Sequence, residues 1–144
     1  ILMIAPLIYK LGRGAVVDGR PPIVWRHAQI LSGVIPRGGE IRYRAQYIKR
    51  AGCHPPKGRG DIAYRLYVLN AEGRKVGTYY QLIIGRVTQW PATSVFKIGE
   101  GSAIAGPHIP RGRYLFQWLG AFDCVGAETP LLVAGPLLPV EIGP

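Results

Sequence analysis

The sequence is poor in cysteine, in acidic residues and in long apolar runs. Two cysteines in 144 residues rule out a small scaffold held together by many disulfides. Eight Asp and Glu stand against 18 Lys and Arg, a formal net charge of +10. The few carboxylates include no paired, helix-spaced set of the kind that general acid and base catalysis draws on. No apolar run approaches the roughly 20 residues that a membrane-spanning helix needs. Amphipathic helices of three turns are also lacking, as are the phosphate-binding G-x-x-x-x-G-K-[ST] and nucleophile-elbow G-x-S-x-G patterns. The run "GEGSAIAG" (99–106) misses the spacing of a dinucleotide fingerprint and precedes no predicted helix, so it reads as a loop. His27, His54 and His108 are solitary. No enzyme and no cofactor is expected.

What is present points to strands. Twenty Gly and 13 Pro suit a chain of strands and turns. Hydrophobic residues make up 48% and charged residues 18%, the balance of a globular protein. A single domain of this size buries about 70% of the surface its unfolded chain exposes. From Ile23 onward the runs alternate at strand spacing: "IVWRHAQIL" (23–31), "EIRYRAQYIKR" (40–50), "DIAYRLYVL" (61–69), "KVGTYYQLII" (75–84) and "ATSVFKI" (92–98). "HIPRGRYLFQWLGAFDC" (108–124) and "PLLVAGPLLPVEI" (130–142) follow. The turn "NAEG" (70–73) supplies a glycine for a positive φ. Alternation puts Tyr43, Tyr47, Tyr64, Leu66, Tyr114, Phe116 and Trp118 in the expected core. The expected architecture is an all-β sandwich of about seven strands over residues 23–144.

Residues 1–22 stand apart from that domain. "ILMIAPLIY" (1–9) is apolar and is followed by Lys10 and Arg13, then by a Gly/Pro-rich linker. It is expected to be either the remnant of a membrane anchor or an extended arm laid on a neighbouring subunit. With an anchor, Lys10 and Arg13 would lie on the outer side, against the positive-inside tendency.

The stretch "IPRGRYLFQW" (109–118) resembles the Pro-x-Gly-x-Tyr lead-in to the F strand of immunoglobulin-like and fibronectin-type-III-like domains, where the tyrosine fixes a corner. The resemblance covers residues 23–142 at the level of fold. It implies strands A, B, C, C′, E, F and G in chain order, with the B–C and F–G loops at the same end. Cys53 then lies just past B and Cys124 just past F, and the two are expected to meet in a disulfide. Closing their 71-residue separation would contribute up to ~4 kcal/mol in the chain-entropy picture and would imply an oxidising compartment. The placement departs from antibody-type domains, whose bridge joins the two sheets against a packed tryptophan. The anchor-like start and the two cysteines also resemble small membrane-anchored sandwich proteins of phages and prophages. Two other uses of the cysteines have less support in the sequence. A thiol nucleophile would need a base beside it, but His54 adjoins Cys53 in sequence and points the other way on an extended chain. Zinc would need Cys53, His54, His108 and Cys124 together, without any C-x-x-C spacing.

A charge of +10 should attract an acidic partner: a protein face, a neighbouring subunit, or nucleic acid on charge alone. The cations are scattered through strands and turns, which also describes an ordinary solvated surface. Arg42, Arg44, Lys49, Arg50 and Arg65 are the expected partner contacts. Strand B sets Tyr43 and Tyr47 on the face opposite Arg42 and Arg44, so the stacking platform of a single-strand binder is not found there. Arg59-Gly60-Asp61 resembles an integrin-binding tripeptide, but Gly58 and Gly60 also simply make a turn. The expected function is therefore a non-enzymatic binding or accessory module, membrane-anchored and displayed in the periplasm or on the cell surface. The alternative is a structural subunit of a phage virion or another large assembly.

Overall fold

The computed structural model describes residues 21–55, 62–86 and 90–144. The expected anchor or arm at 1–9, most of the linker after it, and the Arg59-Gly60-Asp61 tripeptide lie outside the described residues. The described residues form strands and turns, with no helix among them.

Among the described residues ten strands occur in chain order: β1 (Ile23–Ile30), β2 (Glu40–Lys49), β3 (Cys53–His54), β4 (Ile62–Leu69), β5 (Lys75–Gln81), β6 (Ile83–Ile84), β7 (Lys97–Ile104), β8 (Gly112–Cys124), β9 (Leu131–Ala134) and β10 (Leu138–Ile142). One antiparallel sheet has the order β1-β2-β7-β6, the other β10-β8-β4-β5, with β3 and β9 also paired to β8. Their inward rings meet as in a β-sandwich: Tyr43 of β2 lies 5.7 Å from Tyr64 of β4 and 5.5 Å from Phe116 of β8. All seven residues expected in the core are buried.

The alternating runs became strands because every second residue could be removed from water together. In β2, Ile41, Tyr43, Ala45 and Tyr47 are buried, while the side chains between them face out. The turn after β4 closes as its residues suggest. Asn70 Oδ1 accepts the backbone N–H of Glu72 at 3.0 Å and of Arg74 at 2.8 Å, and Gly73 takes φ 79°. Ahead of β8, the Tyr114 hydroxyl donates to the Pro110 carbonyl at 2.5 Å, tying the strand to the turn before it.

Three strand assignments change. The run 75–84 divides: β5 pairs with β4, buried Leu82 marks the crossing, and β6 joins β7 in the other sheet. The run 130–142 divides into β9 and β10 around Gly135, whose carbonyl accepts from Gln117 Nε2 at 2.9 Å. The strand expected at 92–98 lies instead at 97–104, so "GEGSAIAG" is mostly strand rather than loop. The reason is packing from the opposite side of the core. A Cβ on Gly101 would come within 2.5 Å of the Tyr43 hydroxyl, and one on Gly99 would fall on the Trp90 ring. These glycines let aromatic rings lie on the backbone of β7. Together with β3, the two divisions raise about seven strands to ten.

Candidate binding surfaces

The cysteines meet, though not quite where expected. Cys124 is the last residue of β8 rather than past its end, and Cys53 opens the two-residue β3 that pairs with it. Cys53 and Cys124 form a disulfide between directly opposed residues. With both sulfurs bonded, neither is available as a thiolate nucleophile or zinc ligand. A disulfide points to an oxidising, extracytoplasmic location. Among the described residues no helix is long and apolar enough to cross a membrane.

The five expected contact residues do not come together. Arg42 is exposed on the outer face of β2. Arg44 shares that face and pairs with Glu100 of β7, Nε to Oε2 at 2.9 Å. Arg50 is half-buried in the turn after β2, where its carbonyl accepts the Cys53 N–H at 3.2 Å. Arg65 is on the other sheet.

Lys49 is the clear correction. It continues the inward set of β2 and is 7% exposed, so it does not lie on the outer face with Arg42 and Arg44. Its ammonium donates to the Cys53 carbonyl at 2.5 Å and the Arg50 carbonyl at 3.2 Å. Burial pulls its pKa below the ordinary lysine value. The inward period of β2, at 41, 43, 45 and 47, already pointed to 49.

The outer face of β4 and β5 gathers a set that charge alone did not reveal. Arg65 and Tyr67 are two residues apart and therefore face the same way, with Tyr79 directly opposite Tyr67 in β5. The Arg65 guanidinium lies 4.1 Å from the Tyr79 ring centre, and Lys75 Nζ lies 4.4 Å from that of Tyr67. The two tyrosine rings are 5.7 Å apart. Arg65 Nη1 donates to the Tyr67 hydroxyl at 3.3 Å, and that bond raises the Arg65 pKa further. The result is a ladder on a sheet face in the order Lys75, Tyr67, Tyr79, Arg65, with buried Tyr67 inside and a cation–π contact at either end. The Arg-x-Tyr spacing was its legible signal. The pairing with Tyr79 and Lys75 required knowing the β4–β5 register.

The outer face of the first sheet is built differently. Arg26 Nε donates to Gln46 Oε1 at 3.0 Å and its guanidinium lies 3.8 Å over the Phe96 ring. Here Glu100 offsets part of the charge through Arg44. A comparison with protein-family models finds no match, and neither does a comparison with curated proteins.

Proposed function

We propose that the chain is a non-enzymatic, immunoglobulin-like β-sandwich module that binds an acidic protein partner outside the reducing cytoplasm, tethered to a membrane by a segment ending in "ILMIAPLIYK". The observation that carries this reading is the ladder of Arg65, Tyr67, Tyr79 and Lys75. Arginine and tyrosine are the residues enriched where proteins bind one another, because they bring large rigid area with a polar or charged edge. Stacking on tyrosines fixes both cations in place without neutralising them. An acidic loop would meet pre-ordered charge, which reduces the ordering cost of association.

Supporting the immunoglobulin-like part are the strand order, which runs β10-β8-β4-β5 against β1-β2-β7-β6, and the Tyr114–Pro110 corner bond. The disulfide supports the compartment.

The test is a photo-crosslinking side chain in place of Tyr79, which is 41% exposed, with the protein expressed in its native source. A discrete protein adduct that disappears on Lys75→Glu, in a fraction that floats with lipid, is the expected result. Recovery in a heavy, lipid-free particle without such an adduct would overturn the proposal in favour of an assembly subunit.

A further inference from the structure

The disulfide end of the core has a property separate from the ladder. All three tryptophans of the chain gather there: Trp25 lies 5.3 Å from Trp90 and 4.9 Å from Trp118, and Trp90 lies 6.4 Å from Trp118. Their indole Nε1 groups are buried, and among the described residues none has a nitrogen or oxygen acceptor. An indole N–H can only donate, and buried donors are satisfied in the great majority of cases. Contacts between the edge of one ring and the face of another compensate only weakly.

Beside this cluster is a cavity of about 380 Å³, lined on its apolar side by Ile62, Trp90, Trp118 and Phe122. Its polar side has Lys49 and, at an exposed position, His54. The Lys49 ammonium has three donors. Two are taken by the Arg50 and Cys53 carbonyls, and among the described residues the third has no acceptor. The Cys53 carbonyl is itself fixed, because Cys53 is paired with and bonded to Cys124. The lining thus combines a held positive charge that has a donor to spare with aromatic walls.

The chemical complement is a group that only accepts and carries negative charge, on a small apolar body. A carboxylate meets that description with two oxygens and one charge, and the volume falls at the small end of ligand pockets. We propose that this cavity binds a small monocarboxylate with an apolar body, its carboxylate on Lys49 and its body against Trp90, Trp118 and Phe122. Such a ligand would give the buried ammonium a counter-charge without requiring any movement of the disulfide.

Because every tryptophan lies in this one cluster, intrinsic fluorescence reports on the site with no added label. The experiment is a titration of the folded, oxidised protein with decanoate below its micellar range, alongside 1-decanol and acetate. Decanoate should give a saturable change, 1-decanol should bind at least tenfold more weakly, and acetate should give none in the same range. Lys49→Met should weaken decanoate about tenfold or more, the scale of a lost charged hydrogen bond. Ala92→Phe, at a lining position, should weaken decanoate and 1-decanol alike by filling the space. The Ala92 variant and the decanoate-to-decanol ratio remain decisive if Lys49→Met does not fold. Equal affinity for decanoate and 1-decanol, no saturable response to either, or unchanged binding in both variants would overturn the proposal. None of these outcomes depends on the Tyr79 adduct, so the two proposals stand or fall separately.

Discussion

Two aromatic clusters share one core and are finished differently. Around Tyr43, Tyr64 and Phe116 the two phenols satisfy each other, oxygen to oxygen at 2.8 Å. The Tyr64 and Phe116 rings stack at 5.4 Å, and Gly101 lets the Tyr43 ring close onto β7. Farther along β8, toward the disulfide, Trp25, Trp90 and Trp118 also pack ring against ring but bring three unpaired donors and a neighbouring cavity. The contrast teaches that burial and completion are separate properties of a core. Tyrosine pairs can answer one another, since a hydroxyl both donates and accepts. Indoles cannot, since each only donates. A cluster of tryptophans therefore leaves a demand for acceptors that must be met from elsewhere.

The sharpest way to break the comparison is to remove the disulfide. Cys53→Ala with Cys124→Ala should cost about 2–4 kcal/mol, read from urea unfolding. Hydrogen exchange should accelerate first in β3 and at the end of β8. Equal loss of protection around Tyr43 and Gly101 would mean the two regions are one cooperative unit with no looser end.

Gly101→Val should come next, at about 1–3 kcal/mol from overpacking against Tyr43. Gly33→Ala, where an added Cβ meets nothing within 4 Å, should stay within about 0.5 kcal/mol. A similar cost at both sites would remove the close approach of Tyr43 as the reason β7 carries glycine.

Tyr43→Phe should cost about 1–2 kcal/mol, because it leaves the Tyr64 hydroxyl buried without a partner. The double change to Phe should cost less than the sum of the single changes. Strict additivity in that cycle would show that the hydroxyls do not act as a pair.

The two clusters should also respond oppositely to alkali. Burial, then the charge and hydrogen bond of Tyr64, push the Tyr43 phenol far above its ordinary value near 10. Burial also raises Tyr64, against the effect of its bond to Tyr43. Unfolded tyrosines ionise near 10 while these remain neutral, so their contribution is complete below that pH and is lost as pH climbs beyond it. Lys49 has the other sign. Its folded pKa lies below the unfolded value, so its contribution is present above about 10.5 and is lost as pH falls through the folded pKa. Unfolding curves from pH 8 to 11 should show a smaller alkaline fall in the double Phe protein, the rest belonging to Tyr47 and Tyr114, which burial also raises, and should lose the preceding rise in Lys49→Met. A Lys49→Met protein with an unchanged profile would contradict the buried ammonium.

The smallest effect belongs to the outer face of the first sheet. Arg44 and Glu100 have side chains 43% and 42% exposed, and Arg44→Ala should shift stability by less than about 1 kcal/mol.

The amino-acid sequence by itself determined the faces of β2, β4 and β8, the turn at Asn70–Gly73 and the lead-in to Tyr114. Each depends on residues two to four apart, a range over which side-chain direction and turn chemistry are set locally. The same alternation held the answer for Lys49, and the Arg65–Tyr67 spacing held half of the ladder. Only the tertiary structure decided that 97–104 is a strand, because its glycines are explained by rings from Tyr43 and Trp90. The crossing of the chain between sheets at Leu82, the meeting of Tyr79 with Tyr67, and the gathering of Trp25, Trp90 and Trp118 were decided there too. These are contacts between residues far apart in the chain, and no local period records which distant ring will arrive.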